Sequence, residues 1–104
     1  HWFYVHGGID PEKRLAEQID EEMLWIRKEC YLYPGKLEKN LVFGHTPTRL
    51  IHGLDEPVFW PDRVALDTGC VFGGQLSCLI IENGAVAGTC SVPKTRTAKR
   101  ADAA

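Results

Sequence analysis

The sequence has no run of about 18 apolar residues, so it offers no segment able to cross a membrane as a helix. No signal-peptide pattern is evident. Its four cysteines, Cys30, Cys70, Cys78 and Cys90, never fall into CxxC pairs, which weakens a zinc-motif reading. Three of them stand among apolar residues, as buried free thiols do. Reduced thiols fit a cytoplasmic location. The body of the chain also lacks basic charge. The formal net charge is -2, and residues 94–104 alone carry four basic side chains and one acidic, so residues 1–93 hold a charge of -5. An acidic body argues against a nucleic-acid partner. The basic end, KTRTAKRADAA, has no aromatic or large aliphatic residue and reads as disordered. Methionine is missing at position 1, and the opening HWFYVHGG reads as a strand already under way. The sequence therefore reads as the later part of a longer protein.

What is present suffices for a core. Hydrophobic residues make up 44% of the 104, enough for one small domain or part of a larger one. Trp2 to Val5 reads as a short buried strand ended by Gly7 and Gly8. Asp10-Pro11 signals a helix start, with a short helical piece through Gln18. Asp20 offers a second N-cap, and Met23, Ile26 and Cys30 share a stripe that predicts one helix from 20 to about 32, closed by Pro34-Gly35. Leu41–Phe43 is the next strand. Residues 49–56 read as loop. Val58–Trp60 reads as an edge strand between two prolines, and Val64–Asp67 as another strand. Leu76–Glu82 and Ala85–Val92 flank Asn83-Gly84, a hairpin turn because both positions tolerate positive φ. The order predicts an α/β layer feeding a mostly antiparallel sheet.

One construction occurs three times. WFYV leads to His6 and then glycine; LVFG leads to His45 and then Thr-Pro; VAL leads to Asp67 and then Thr-Gly. Each apolar strand delivers a polar side chain at its carboxyl end, where open α/β sheets bind ligands. Two neutral imidazoles so placed suit a metal ion. Gly7, Gly8 and Gly44 would leave room for the ion and its waters. His1 and His52 lack this setting and are not expected to ligate.

In this order along the chain, FYVHGGIDPEKRLAEQ, EEMLWIRKE, LVFGHTPT and VALDTGCVFGGQLSCLIIENG resemble the phosphoprotein phosphatase branch of the metallophosphoesterases. The likeness runs from about residue 3 to residue 84, toward bacterial serine/threonine phosphatases and symmetrical diadenosine tetraphosphate hydrolases. It implies an α/β fold, the C-terminal portion of a metallophosphoesterase αββα sandwich, with residues 1–93 as the C-terminal part of a calcineurin-like domain whose N-terminal half is absent. It implies metal-dependent phosphoester hydrolysis by the parent protein, foremost of the serine/threonine phosphatase type, with a metal-bridged hydroxide attacking phosphorus. Symmetrical dinucleoside polyphosphate hydrolysis is the alternative. His6 and His45 match two histidines that ligate a metal in the family. Two divalent ions are implied, manganese first, with iron, zinc or nickel as alternatives. Arg27, in Leu-Trp-Ile-Arg, matches the arginine that holds substrate phosphate. Asp67 to Gly74 matches a supporting strand and turn, and Asp67 is not carried over as a ligand. The substrate would be a phosphorylated protein or a small phosphoester, with no nucleic acid and no membrane. The family's GDxHG, GDxxDRG and GNHE motifs, which supply the other ligands and the general acid, are missing here, so no catalytic residue is expected within this piece and it should be inactive alone.

Bland readings stand beside these. Arg27 could be an exposed helix arginine balanced by Glu22 or Glu29. Trp25 is expected to pack its helix onto the sheet rather than stack on a substrate base. Cys70 is expected to be a buried strand thiol, and Phe72 and Gln75 could line a pocket wall. Ala65-Leu66-Asp67-Thr68-Gly69 also has the pattern of an aspartic protease, though Cys70 stands where a small Ala or Ser is usual and the helical segment fits a small all-β protease poorly. A non-catalytic binding piece or decayed remnant is the third reading.

Overall fold

The structure, a computed structural model, describes residues 1–95. Strands β1 (Trp2–Tyr4), β2 (Asn40–Phe43), β3 (Val58–Trp60) and β4 (Arg63–Ala65) form one sheet in the order β1-β2-β4-β3. β1, β2 and β4 are mutually parallel, and β3 joins the edge antiparallel to β4. β5 (Gln75–Glu82) and β6 (Ala85–Pro93) form a separate hairpin. A mostly antiparallel main sheet is therefore not what forms. The reason lies in the connections. β1 reaches β2 through helices α1 (Asp20–Trp25) and α2 (Lys28–Tyr31), and β2 reaches β4 through the single turn α3 (Arg49–His52) and β3. Long crossovers of this kind are what parallel pairing requires.

Local differences also have physical causes. The segment 20–32 is not one helix. Ile26 is extended at φ -64°, ψ 146°, and Arg27 sits at φ -132°, ψ -101°. α1 buries no side chain, whereas α2 buries Cys30 and Tyr31. The break turns the second piece into the core and leaves the first near the surface. Asp20 is the first helical residue, and Ile19 holds the cap position without a side-chain bond. Asp10 caps no helix; its Oδ1 accepts Glu12 N–H at 3.0 Å in a local turn. Only a 3-10 turn at Leu15–Glu17 follows, and Gln18 fills the loop by bonding both backbone groups of Asp10. Residues 49–52 fold into a helical turn closed by Gly53 at φ 84°. β4 ends at Ala65, short of the expected Asp67. The hairpin turn forms as expected, with Asn83 at φ 51° and Gly84 at φ 80°. Of the basic end, 96–104 lie outside the described residues, while Lys94 N–H still bonds Gly74 O at 3.1 Å.

The core lies on one face of the sheet. Phe3, Leu41, Phe43 and Ala65 point to the helical side, where they meet Ile9, Cys30, Tyr31 and Leu37. Trp60 closes that core, its ring stacked 6.2 Å from Phe43. On the other side the hairpin is tied at its root by Thr68 Oγ1, which bonds Gln75 O and Ser77 Oγ, both at 2.6 Å. Its tip accepts Trp2 Nε1–H at Gly84 O, 2.9 Å.

Arg63 is the one fully charged side chain in this interior among the described residues, only 4% exposed. Its Nη1 donates to Cys30 O and Tyr33 O and its Nη2 to Gly35 O, each at 2.9 Å, while Nε pairs with Asp62. Asp62 in turn accepts Leu37 N–H at 2.8 Å. Burial pushes the Asp62 carboxyl up, but the Arg63 and Leu37 bonds outweigh it and hold the group below its ordinary range. This cluster fixes the chain leaving α2 onto the sheet. Arg63→Met should destabilise the protein by about 3–5 kcal/mol, because one buried carbonyl, two partly buried ones and a carboxylate lose their donor. Urea unfolding of the two proteins measures it; a difference below about 1 kcal/mol would show the cluster to be dispensable.

Candidate metal and phosphate site

Parallel pairing aligns the carboxyl ends of β1, β2 and β4 at one edge. Each strand is followed two positions on by its polar residue: His6, His45 and Asp67. Gly44 N–H donates to His6 O at 2.7 Å and carries the β1–β2 pairing into the loops. The two imidazole rings lie with centroids 5.0 Å apart, tilted by 48°. Thr48 N–H donates to Asp67 O at 2.8 Å, which ties the third loop in. Asp67 itself accepts Gly69 N–H at Oδ1, 3.0 Å, so its carboxylate supports the turn.

His45 has φ 66°, uncommon outside glycine. Thr46 N–H bonds Gly44 O at 2.7 Å, so His45 is the centre of a three-residue turn. This left-handed residue costs on the order of 1–2 kcal/mol and is held by the bonds on either side. Thr46 Oγ1, next in the chain, is buried and has no partner.

Arg27 is brought to the same place by the break between α1 and α2. Its Nε donates to His45 Nε2 at 3.3 Å. Neither Glu22 nor Glu29 balances it; Glu22 pairs with Lys13 at 2.9 Å. Burial, Arg27 and His6 together lower the His45 pKa against a smaller pull from Asp67, which favours the neutral ring. Trp25 does not pack onto the sheet. It is 66% exposed, with its ring edge-on to His45 at 5.4 Å. Trp25 stands well off the stripe of Met23, Ile26 and Cys30, so helical spacing by itself already turns it from the buried face.

The other candidates fall elsewhere. His52 Nε2 bonds the carbonyls of Leu54 and Glu56 at 3.0 and 2.9 Å, and His1 O accepts Asn40 N–H, so both act on the backbone. Cys30 is buried, and burial raises its thiol pKa, but Cys70 is half-buried on a 3-10 turn and Cys78 and Cys90 are exposed on the hairpin. Apolar neighbours in sequence misled there, since an alternating strand exposes every second residue. Gln75 is structural, donating to Asp55 O at 2.8 Å. The glycines also have another purpose. A methyl on Gly7 would stand 2.8 Å from Leu24 O, and one on Gly8 2.9 Å from Cys30 Sγ. They let the end of α1 approach β1, where Gly7 N–H bonds Met23 O at 2.7 Å.

His6 and His45 are two nitrogen donors, and among the described residues no cluster of three or more His, Cys, Asp or Glu surrounds them. The pair suits one side of a divalent ion, since both rings are close and the surroundings of His45 favour its neutral form. A mixed parallel sheet with an Arg at the paired histidines is not the architecture of a small all-β aspartic protease.

No family model matches the chain. It is similar to the asymmetrical bis(5'-nucleosyl)-tetraphosphatase PrpE of Anoxybacillus flavithermus, 44% identical over 77 residues, 74% of the chain and 26% of the relative. It also superposes on the crystal structure of a protein provisionally assigned as a diadenosine tetraphosphatase, with TM-score 0.62 and 24% identity over 88% of the chain and 46% of that one. The likeness is to the calcineurin-like metallophosphoesterases, whose fold the chain has. Within that class the relatives found are dinucleoside tetraphosphatases by name, and the chain spans about a quarter of the curated one and just under half of the solved one. Among the described residues no helix is long and apolar enough to cross a membrane.

The glycine contacts give a test of the site's foundation. Gly7→Ala should cost about 1–3 kcal/mol, since its methyl meets a backbone carbonyl that cannot give way. Gly44→Ala should cost less, because its methyl meets only ordinary contacts at 3.6 Å. Thermal unfolding of both variants checks the order, and the reverse order would refute it.

Proposed function

We propose that the protein to which this chain belongs hydrolyses dinucleoside polyphosphates with the help of divalent metal, and that His6 and His45 hold one of the ions. The observation that carries the reading is the closeness of His6, His45 and Arg27, which come from three separate segments of the sequence. Neutral imidazole is a good ligand for manganese, iron, zinc or nickel, and nothing in the donor pair selects among them. Bound divalent ions supply Lewis-acid stabilisation of phosphate charge and lower the pKa of water.

The chain's own residues do the rest. Arg27 offers a planar fork of donors that fits phosphate oxygens. Its hold on His45 Nε2 is a contact that phosphate and metal would divide between them, the guanidinium turning to the anion and the nitrogen to the cation. His45 contributes in the unprotonated form that ligation needs. Trp25 puts an exposed indole beside the reacting group, a surface for a nucleoside rather than for an extended peptide. That exposure and the named relatives support the dinucleoside reading over the serine/threonine phosphatase one. The remaining ligands and the general acid lie outside these residues in this reading, and the cytoplasmic location rests on the free thiols alone.

The resemblance in sequence pointed to symmetrical hydrolases, whereas the curated relative is named asymmetrical. Diadenosine tetraphosphate given to the full-length protein separates the two by products: AMP and ATP for asymmetrical cleavage, two ADP for symmetrical. Asymmetrical products are expected. No cleavage of this substrate, with brisk turnover of a phosphopeptide, would restore the phosphatase reading. His45→Ala in the full-length protein should weaken metal binding about 10-fold or more and remove most turnover, measured by calorimetry with manganese and by product formation. Unchanged metal affinity would take His45 out of the site.

A further inference from the structure

Beside His45 and Arg27 lies a cavity of about 320 Å³ whose far wall is Phe72, with Pro47, Arg49 and Leu50 around it. We propose that this cavity is a nucleobase subsite, with Phe72 as the stacking platform. The proposal rests on the dinucleoside reading above and adds where the base sits.

Phe72 is 75% exposed, and Leu50 on the adjoining wall 65%. Large apolar side chains so placed leave a surface unsatisfied by this fold. Phe72 is nevertheless not on a loose loop. It ends a 3-10 turn, Cys70–Phe72, held between Gly69 at φ 73° and Gly73 at φ 95°. Phe72 N–H bonds Gly69 O at 2.9 Å, Gly74 N–H bonds the same carbonyl at 2.8 Å, and Gln75 N–H bonds Thr68 O at 2.9 Å. The backbone is thus fixed, and an exposed ring on a fixed backbone binds with little loss of freedom.

The opposite wall is fixed as well. Arg49 is bidentate on Asp55, with Nε to Oδ1 at 3.0 Å and Nη2 to Oδ2. Asp55 is anchored in turn, since its backbone carbonyl accepts the Gln75 side chain. With its charge met by Asp55, the Arg49 guanidinium serves as a flat face rather than a second phosphate clamp. A planar base between an aromatic ring and a guanidinium plane is a stable arrangement. Arg27 lines the same cavity as His45 and is where the 5'-phosphate of that nucleotide would lie.

Calorimetry on the full-length protein tests this without requiring turnover. AMP and inorganic phosphate are titrated into wild type, Phe72→Ala and Phe72→Trp. AMP should bind wild type at least about 5-fold more tightly than phosphate, the lower bound for one stacked base. Phe72→Ala should erase that difference and leave phosphate affinity unchanged; Phe72→Trp should keep it. Equal affinities for AMP and phosphate in wild type, or an AMP preference untouched in Phe72→Ala, would overturn the subsite. Loss of phosphate binding together with AMP in Phe72→Ala would also overturn it, as the change would then be structural. The product analysis with diadenosine tetraphosphate is independent of these titrations, so the substrate reading and the subsite can fail separately.

Discussion

Gly44 N–H donating to the His6 carbonyl is the contact on which the site is built. It extends the parallel pairing of β1 and β2 beyond the last paired residues, Tyr4 and Val42, into the loops that carry the histidines. Strand pairing has a two-residue period, so a slip of one residue would turn one ring to the opposite face. The 5.0 Å separation therefore depends on register, and register depends on burying Phe3, Leu41 and Phe43 on the same side. Packing of the core and placement of the imidazoles are one requirement.

The second requirement is the interrupted helix. α1 and α2 cannot be continuous, because Cys30 and Tyr31 must enter the core while Arg27 must reach His45. Arg63 holds the far side of that break by bonding the carbonyls of Cys30, Tyr33 and Gly35. Gly7 holds the near side against the end of α1. An interior cation with every donor engaged is costly to disturb, and it fixes the chain that follows α2.

The site holds a strained residue and exposed aromatic surface close together. His45 has positive φ, Thr46 has a partnerless hydroxyl, and Trp25 and Phe72 leave aromatic surface uncovered. Strained backbone that the surrounding bonds hold in place is common at functional sites, and His45 is such a residue beside His6 and Arg27.

Much of this was legible in the residues alone. Strand runs ending in His6 and His45 are local patterns, and the Asn83-Gly84 turn follows from the two residues that best tolerate positive φ. The family likeness carried by HGG, LWIR, GHTP and DTGCVFGG is linear too. What the order of residues could not say was how segments distant in sequence meet. The sheet is parallel because crossovers pair strands 38 positions apart in register, Trp2 with Asn40, and no local periodicity encodes that. The break at Ile26–Arg27, the surface position of Cys78 and Cys90, and the close-packing duty of Gly7 and Gly8 all come from competition for the same interior. Sequence by itself determined which side chains arrive at strand ends and which turns can form. Tertiary structure alone decided which ends share an edge and which face each helix piece shows, since burial is settled between elements and not within them.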